Sequence, residues 1–219
     1  VVELSTRPKE SIGTDSEWEE ATKALKNTLD KRKIAYEINE GEGAFYGPKI
    51  DIKLKDALSR QWQCATIQCD FALPERFNLK YTDKDGKEKK PIMLHRVILG
   101  SIERFIGALI EHYEGDFPLW LAPEQVCIIP ITEKQNAYAE NLKEKMREKE
   151  IRVSVDTRDE KMQRKIRQQE LNKIPYLVVV GQREAETGKL SIRQRKKGMI
   201  GEMSPEDFIK KVVEEIKNK

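Results

Sequence analysis

Cysteine is scarce in this chain: Cys64, Cys69 and Cys127 are the only 3 among 219 residues. An odd count without metal-finger spacing argues against a disulfide framework, and Cys64 and Cys69 are too isolated to argue for a zinc ribbon. The count fits a reducing compartment, so a cytoplasmic location is expected. Long apolar runs are also missing. The longest, Ile128 to Ile131 and Leu177 to Val180, fall far short of the ~20 apolar residues that a membrane-spanning helix needs. No cationic start followed by an apolar stretch opens the chain, so neither a secretory signal nor a membrane partner is expected. There is no initiator Met. Val1-Val2-Glu3-Leu4-Ser5 reads as a strand already under way, and the chain is expected to begin inside a longer protein. A large excess of one charge is absent as well, with Lys+Arg 41 against Asp+Glu 38, net +3. The balance is uneven along the chain, however. Residues 1–121 carry 19 basic against 21 acidic side chains (−2), and residues 122–219 carry 22 against 17 (+5). Any polyanion is therefore expected to meet the rear half, unless its lysines form only a solvated surface.

What is present reads as two domains, residues 1–121 and 122–219. In the first, Thr14-Asp15-Ser16-Glu17 has helix-capping chemistry, and Trp18, Ala21, Leu25 and Leu29 follow at helical spacing as a core stripe. Ile34 to Ile38 reads as a short strand. Gly41 to Lys49 is rich in turn formers. Beyond it Ile50, Ile52 and Leu54 alternate with Asp51, Lys53 and Lys55, as in a half-buried strand. Residues 61–71 and 91–97 read as strands, and Tyr81 to Lys90 as a hairpin turning at Asp85-Gly86. Ile102, Phe105, Ile106, Leu109, Ile110 and Tyr113 mark a buried helix. Together these elements predict an α+β fold, an antiparallel sheet with helices on it. Pro118 to Pro123 breaks the pattern. After it come strands at Val126 to Ile131, Ile151 to Val155 and Tyr176 to Val180, with helices at Glu133 to Lys149 and Asp159 to Asn172 between them. Lys189 to Arg193 alternates, and a closing helix opens at Ser204-Pro205. That succession predicts a small α/β domain with parallel strands and right-handed crossovers.

Chemistry concentrates in three places. Gln61 to Phe71 puts polar side chains where a core strand carries aliphatic ones, which is costly unless they meet partners. Strict alternation places Trp62, Cys64, Thr66 and Gln68 on one face and Gln61, Gln63, Ala65 and Ile67 on the other. The strand is either a wall of a small-molecule pocket or an edge wetted by solvent. His95, flanked by apolar residues, reads by itself as a satisfied core group, since zinc wants about three or four protein ligands. Arg104 falls in the first turn of a helix entered through Gly100-Ser101. A cation at a positive helix end calls for an anion, although a surface ion pair would also account for it. In the rear half Arg158, Lys161, Arg164, Lys165, Arg167 and Lys173 crowd one helix, and Arg193, Arg195, Lys196 and Lys197 follow a strand, as residues that track a phosphate backbone do.

Several motifs carry a family resemblance. Gly43 to Asp51, Trp62-Gln63-Cys64 with Thr66-Ile67-Gln68 and Asp70-Phe71, and His95-Arg96 ahead of Leu99 to Phe105 resemble the catalytic domain of threonyl-tRNA synthetases, which are class II enzymes. Trp120 to Pro123 with Gln125-Val126 resembles the junction into that family's anticodon-binding domain. Lys165-Ile166-Arg167, Ile174-Pro175-Tyr176, Val179-Val180-Gly181 and Glu184 resemble the domain itself. The resemblance implies the end of a class II catalytic domain joined to an anticodon-binding domain. It also implies ATP-dependent activation of threonine, with magnesium, and transfer to tRNA(Thr). Arg104 would hold the ATP phosphates, and Arg104 and Lys49 would be the catalytic residues. Tyr46, Lys49, Gln63, Cys64, Gln68 and Ser101 would line the threonine and adenylate pocket, with Gln63 and Ser101 joining Arg104 around ATP. His95 would be one zinc ligand, and Asp159, Lys161, Glu184 and Arg193 would read anticodon bases. A homodimer is implied for the full-length enzyme. Ala65 stands where the family usually has glycine, and Met162-Gln163-Arg164 and Gln168-Gln169 also depart from its pattern. The family's first two motifs and its other zinc ligands are not in this sequence, so the chain alone is expected to be inactive. A non-catalytic RNA-binding regulator on a synthetase scaffold is the other reading.

Overall fold

The computed structural model describes residues 1–218, and its contacts divide the chain into two units, Val1–His112 and the residues from Tyr113 onward. The first unit runs β1 (Val2–Ser5), α1 (Asp15–Lys31), β2 (Glu37–Asn39), β3 (Lys49–Lys55), β4 (Gln61–Asp70), α2 (Ala72–Arg76), β5 (Tyr81–Thr82), β6 (Glu88–Lys89), β7 (Met93–Val97) and α3 (Ile102–Tyr113). Its five-stranded sheet has the order β2-β1-β3-β4-β7, antiparallel except for the β1–β2 edge. The capping box expected at α1 is formed. Thr14 Oγ1 accepts from the Glu17 amide at 3.2 Å, and the Glu17 carboxylate accepts from the Thr14 amide at 2.7 Å. The apolar stripe of α1 then buries Ala21, Leu25 and Leu29 against Leu4, Ile50 and Cys69 of the sheet.

Two expectations fail in this unit. Along β3 Ile50 and Asp51 are both buried, while Ile52 and Leu54 are exposed. The bulge in the β3–β4 pairing leaves β3 without an extra residue, so Ile50, Ile52 and Leu54 still share a face, but of the three only Ile50 is packed in the core with α1. The expected buried helix, α3, has no buried residue, and its Ile102, Ile106 and Ile110 are about half exposed. Apolar periodicity identifies the face of a helix that suits a core; it does not supply the cover.

The second unit runs β8 (Val126–Pro130), α4 (Asn136–Arg147), β9 (Val153–Val155), α5 (Met162–Leu171), β10 (Tyr176–Val180), α6 (Gln182–Thr187), β11 (Leu190–Gln194), β12 (Gly198–Met203) and α7 (Pro205–Lys217). The sheet order is β12-β11-β10-β8-β9, with β9, β8 and β10 parallel and β11 and β12 antiparallel. Every residue of β8 and β10 is buried, as strands covered on both faces require. On one face Val126, Ile128, Tyr176 and Val178 pack with Leu142 and Met146 of α4 and Phe208 and Val212 of α7. On the other, Cys127, Ile129 and Leu177 pack with Ile174 and with Ile166 of α5. The segment that breaks the sequence pattern folds onto this unit. Leu119 is buried in the first of these cores, and Arg152 donates to the carbonyls of Ala122 (2.9 Å) and Trp120 (2.8 Å).

Candidate functional site

The centre of the first unit is a polar face on β3, β4 and β7. Cross-strand pairing aligns Lys49 with Gln68 and Gln68 with His95, and the next residues on that face, Asp51 and Thr66, are paired as well. Tyr46 enters from the turn before β3, and its hydroxyl donates to Gln68 Oε1 at 3.0 Å. That turn lies so close to β4 that a Cβ on Gly47 would stand 2.1 Å from the Cys69 carbonyl oxygen, so no other residue fits. His95 is bonded through Nε2 to Asp70 Oδ2 at 2.7 Å, with its side chain 40% exposed, so it is a site-facing group and not the core histidine that its neighbours predicted. Burial opposes ionisation of Asp70. The His95 ring and the amides of Leu73 and Ala72 outweigh that effect and hold its carboxyl below the ordinary value.

A bulge decides where Gln63 points. Ile52 pairs with Ala65 and Lys53 with Gln63, which leaves Cys64 as the extra residue. Strict alternation had put Gln63 on the face away from Thr66. Beyond the bulge its Nε2 instead donates to Asp51 Oδ1 at 2.7 Å and reaches Thr66 Oγ1 at 2.9 Å. Thr66 donates to the same Asp51 oxygen at 2.7 Å, and Lys49 Nζ pairs with Oδ2 at 2.7 Å. Asp51, 2% exposed, is thus a buried acceptor that fixes three site side chains, and residue-by-residue reading missed it. The available signal was a carboxylate on a strand facing a Gln and a Thr on its partner. Cys64 is buried, and its Sγ donates to the Trp62 carbonyl at 3.5 Å.

Ser101 and Arg104 lie at the entry to α3. Ser101 Oγ donates to Glu103 at 2.9 Å and accepts weakly from the Arg104 amide at 3.4 Å. Gly100 has φ +66, and a Cβ there would be 3.0 Å from the Cys64 carbonyl, so the helix entry sits directly against the bulge. The Arg104 guanidinium lies 5.2 Å from the Trp62 ring centroid.

In the second unit the basic cluster is largely engaged within the fold. Lys165 is buried, donating to the carbonyls of Pro130 (3.2 Å) and Asp156 (3.1 Å), so it cannot track a phosphate backbone as expected. Arg158 is held by Asp156. Arg195 and Lys196 pair with Asp116, and Lys173 donates to the Glu114 carbonyl. Arg193 stands in a cleft with Glu170, Ile174, Leu177 and Arg195. Its guanidinium donates to Glu170 at 3.3 Å, and its buried Nε has no partner among the described residues. Glu184 accepts from the Gly181 amide at 2.9 Å, capping α6, and Lys161 is the N-cap residue of α5. Among the described residues no hydrogen bond or ion pair joins Asp159, Lys161, Glu184 and Arg193 to one another.

Residues 5–113 match the family described as tRNA synthetase class II core domain (G, H, P, S and T), and residues 125–215 match the anticodon binding domain. The chain belongs to the class II tRNA synthetases. A protein named Threonine–tRNA ligase from Acetivibrio thermocellus is 55% identical over 218 residues, covering 100% of this chain and 34% of that protein. One of the same name from Geobacter sp. strain M21 is 58% identical over 217 residues, 99% of this chain and 34% of that protein. The chain therefore spans about a third of the length of these class II relatives. The crystal structure of the RNA binding domain of threonyl-tRNA synthetase from Cryptosporidium parvum Iowa II superposes with TM-score 0.87 at 42% identity, over 97% of this chain and 54% of that one. The α+β core followed by an α/β anticodon-binding domain is the architecture that the sequence predicted.

A zinc ion is implied by the family resemblance. Among the described residues no group of three His, Cys, Asp or Glu side chains is placed to hold a metal, and the His95–Asp70 pair stops at two. The residues present do not make a zinc site by themselves.

Proposed function

We propose that this chain supplies one wall of the threonine and adenylate pocket, and the anticodon-reading domain, of a threonine–tRNA ligase. The observation that supports this most directly is the polar face itself. Tyr46, Lys49, Gln63, Gln68 and His95 converge on three adjacent strands, in a chain 55% identical to a protein of that name. A neutral amide that donates and accepts suits the polar groups of an amino acid. A pocket that hydrogen-bonds a substrate hydroxyl rejects the isostere lacking it, which is how threonine would be told from valine. Lys49 and Arg104 would stabilise charge developing on the ATP phosphates, where magnesium would neutralise more of it. His95, oriented through Asp70, would give one ligand to a zinc whose other ligands lie outside this chain. Asp159, Lys161, Glu184 and Arg193 would meet the anticodon of tRNA(Thr), with residues 1–121 as catalytic part and 122–219 as anticodon-binding domain. The ligase would act in the cytoplasm as a homodimer.

The test is threonine-dependent ATP–pyrophosphate exchange by the full-length protein and its Lys49→Ala and Arg104→Ala variants. Each loss should cut exchange by about 10²-fold or more, the scale of removing one oriented charge from a transition state. Full exchange in both variants would refute the assignment. Absence of exchange in the parent, with tRNA still bound, would favour the non-catalytic regulator.

A further inference from the structure

Arg104 is exposed, and among the described residues it has no carboxylate partner. A guanidinium on a first helical turn with no ion pair is free to swing, and ordering so long a side chain on a ligand is entropically costly. What it does have is the Trp62 indole, 5.2 Å from the guanidinium carbon to the ring centroid. The indole is itself fixed. Its Nε1 donates to Asp56 Oδ2 at 2.9 Å, and that carboxylate is all but inaccessible, with its side chain 2% exposed. Asp56 in turn is held in its turn by the amides of Leu58 and Arg60, both at 2.9 Å on Oδ1, and by Arg60 Nε at 2.6 Å on Oδ2. Arg60 also lies over the same ring, 5.6 Å from its centroid.

We propose that Trp62, anchored by Asp56, is the positioning residue that aims Arg104 at the phosphates of ATP. The proposal rests on the reading of Arg104 as a phosphate clamp. A carboxylate could have oriented this arginine, but it would compete with the incoming phosphate for the same N–H donors and cancel part of the charge. An aromatic face attracts the cation through its quadrupole and leaves all five N–H donors and the full charge available. The chain thus separates the two tasks: Asp56 meets the carboxylate need of Arg60 and the indole, and the indole orients Arg104.

The test uses the full-length enzyme in ATP–pyrophosphate exchange with ATP and threonine varied separately. Trp62→Leu, which removes the ring, should raise KM for ATP roughly ten-fold and leave KM for threonine in place. Trp62→Phe keeps a ring face and should return KM for ATP to within roughly three-fold of the parent. Asp56→Asn leaves the ring but weakens its anchor, and should fall between them. In an Arg104→Ala background, Trp62→Leu should add no further rise, because the residue it positions is gone. If Arg104→Ala raises KM for ATP while Trp62→Leu does not, the positioning role is overturned and the clamp reading survives. An undiminished effect of Trp62→Leu on top of Arg104→Ala overturns it too, by showing a merely structural ring. A silent Arg104→Ala removes the clamp role and this proposal with it. Should Trp62→Leu fail to fold, Trp62→Phe and Asp56→Asn carry the same comparison, and equal damage by both to kcat and to both KM values counts against positioning.

Discussion

Asp156 shows how far one side chain can be committed to a fold. It is 6% exposed and accepts from Arg158 Nε at 2.8 Å, Arg158 Nη2 at 2.6 Å and Gln169 Nε2 at 2.9 Å. The hydrogen bond from Arg158 outweighs burial and, with Gln169, brings its carboxyl down to about 2. A folded-state value below the unfolded one stabilises the fold at pH above the unfolded pKa of about 3.9, and that contribution is lost as pH falls through about 2. Asp156→Asn should therefore cost on the order of 2 kcal/mol at neutral pH, and the gap from the parent should close between about pH 4 and pH 2. Denaturant unfolding across that range measures it, and a gap that stays constant would show that shape, not charge, is at stake. At this scale the sequence was only partly legible. Gln169 stood out merely as a departure from the family pattern, yet the fold uses it on Asp156. Lys165 looked like any other cation of its helix. What separates it from Arg164 and Arg167 is that its own position on α5 faces the sheet, where it meets two carbonyls.

At the scale of elements, positions that depend on local chemistry could be read and those that depend on partners could not. The capping box at Thr14, the hairpin at Asp85-Gly86 and the strand at Tyr176–Val180 follow from short-range rules, and all three are formed. The bulge in β4 has no such local signature. It arises from how β3 and β4 pair, and it alone turns Gln63 toward Asp51 and Thr66. α6 and β12 likewise lay outside the expected elements. The bulge also explains Gly100, whose left-handed φ of +66 lets α3 start against the Gln63 and Cys64 carbonyls. In Gly100→Ala the new Cβ would sit 3.0 Å from the Cys64 oxygen and occupy a backbone region that costs an L residue about 1 kcal/mol or more. The expected outcome is a lower melting temperature by a few degrees, together with a higher KM for ATP, because Ser101 and Arg104 start from that residue. A variant with parental melting and KM would show that the contact is dispensable.

For the whole molecule, charge counts mislead unless the partners are known. The rear half has an excess of +5, which reads as an extended phosphate-binding surface. Most of that cluster is committed internally: Arg158 to Asp156, Lys173 to Glu114, Arg195 and Lys196 to Asp116, and Lys165 to the core. Arg164 is paired with Glu160, and among the described residues Lys161, Arg167 and Lys197 carry no ion pair. Counterion release scales with the phosphates actually neutralised, so a tRNA bound through this domain should show a modest salt dependence. About three phosphates correspond to a slope of log K against log salt near −2 to −3, where ten available cations would give −7 or steeper. Arg193→Ala should behave differently from a phosphate contact. Loss of a base-reading arginine should weaken tRNA with the threonine anticodon by about 1–3 kcal/mol, narrow its margin over a mismatched anticodon, and leave the slope unchanged. Titrations of the full-length protein at several salt concentrations, with matched and mismatched tRNA, separate these outcomes. A slope near −7, or an Arg193→Ala variant that loses slope but keeps its anticodon preference, would return that arginine to the backbone-binding surface that composition first indicated.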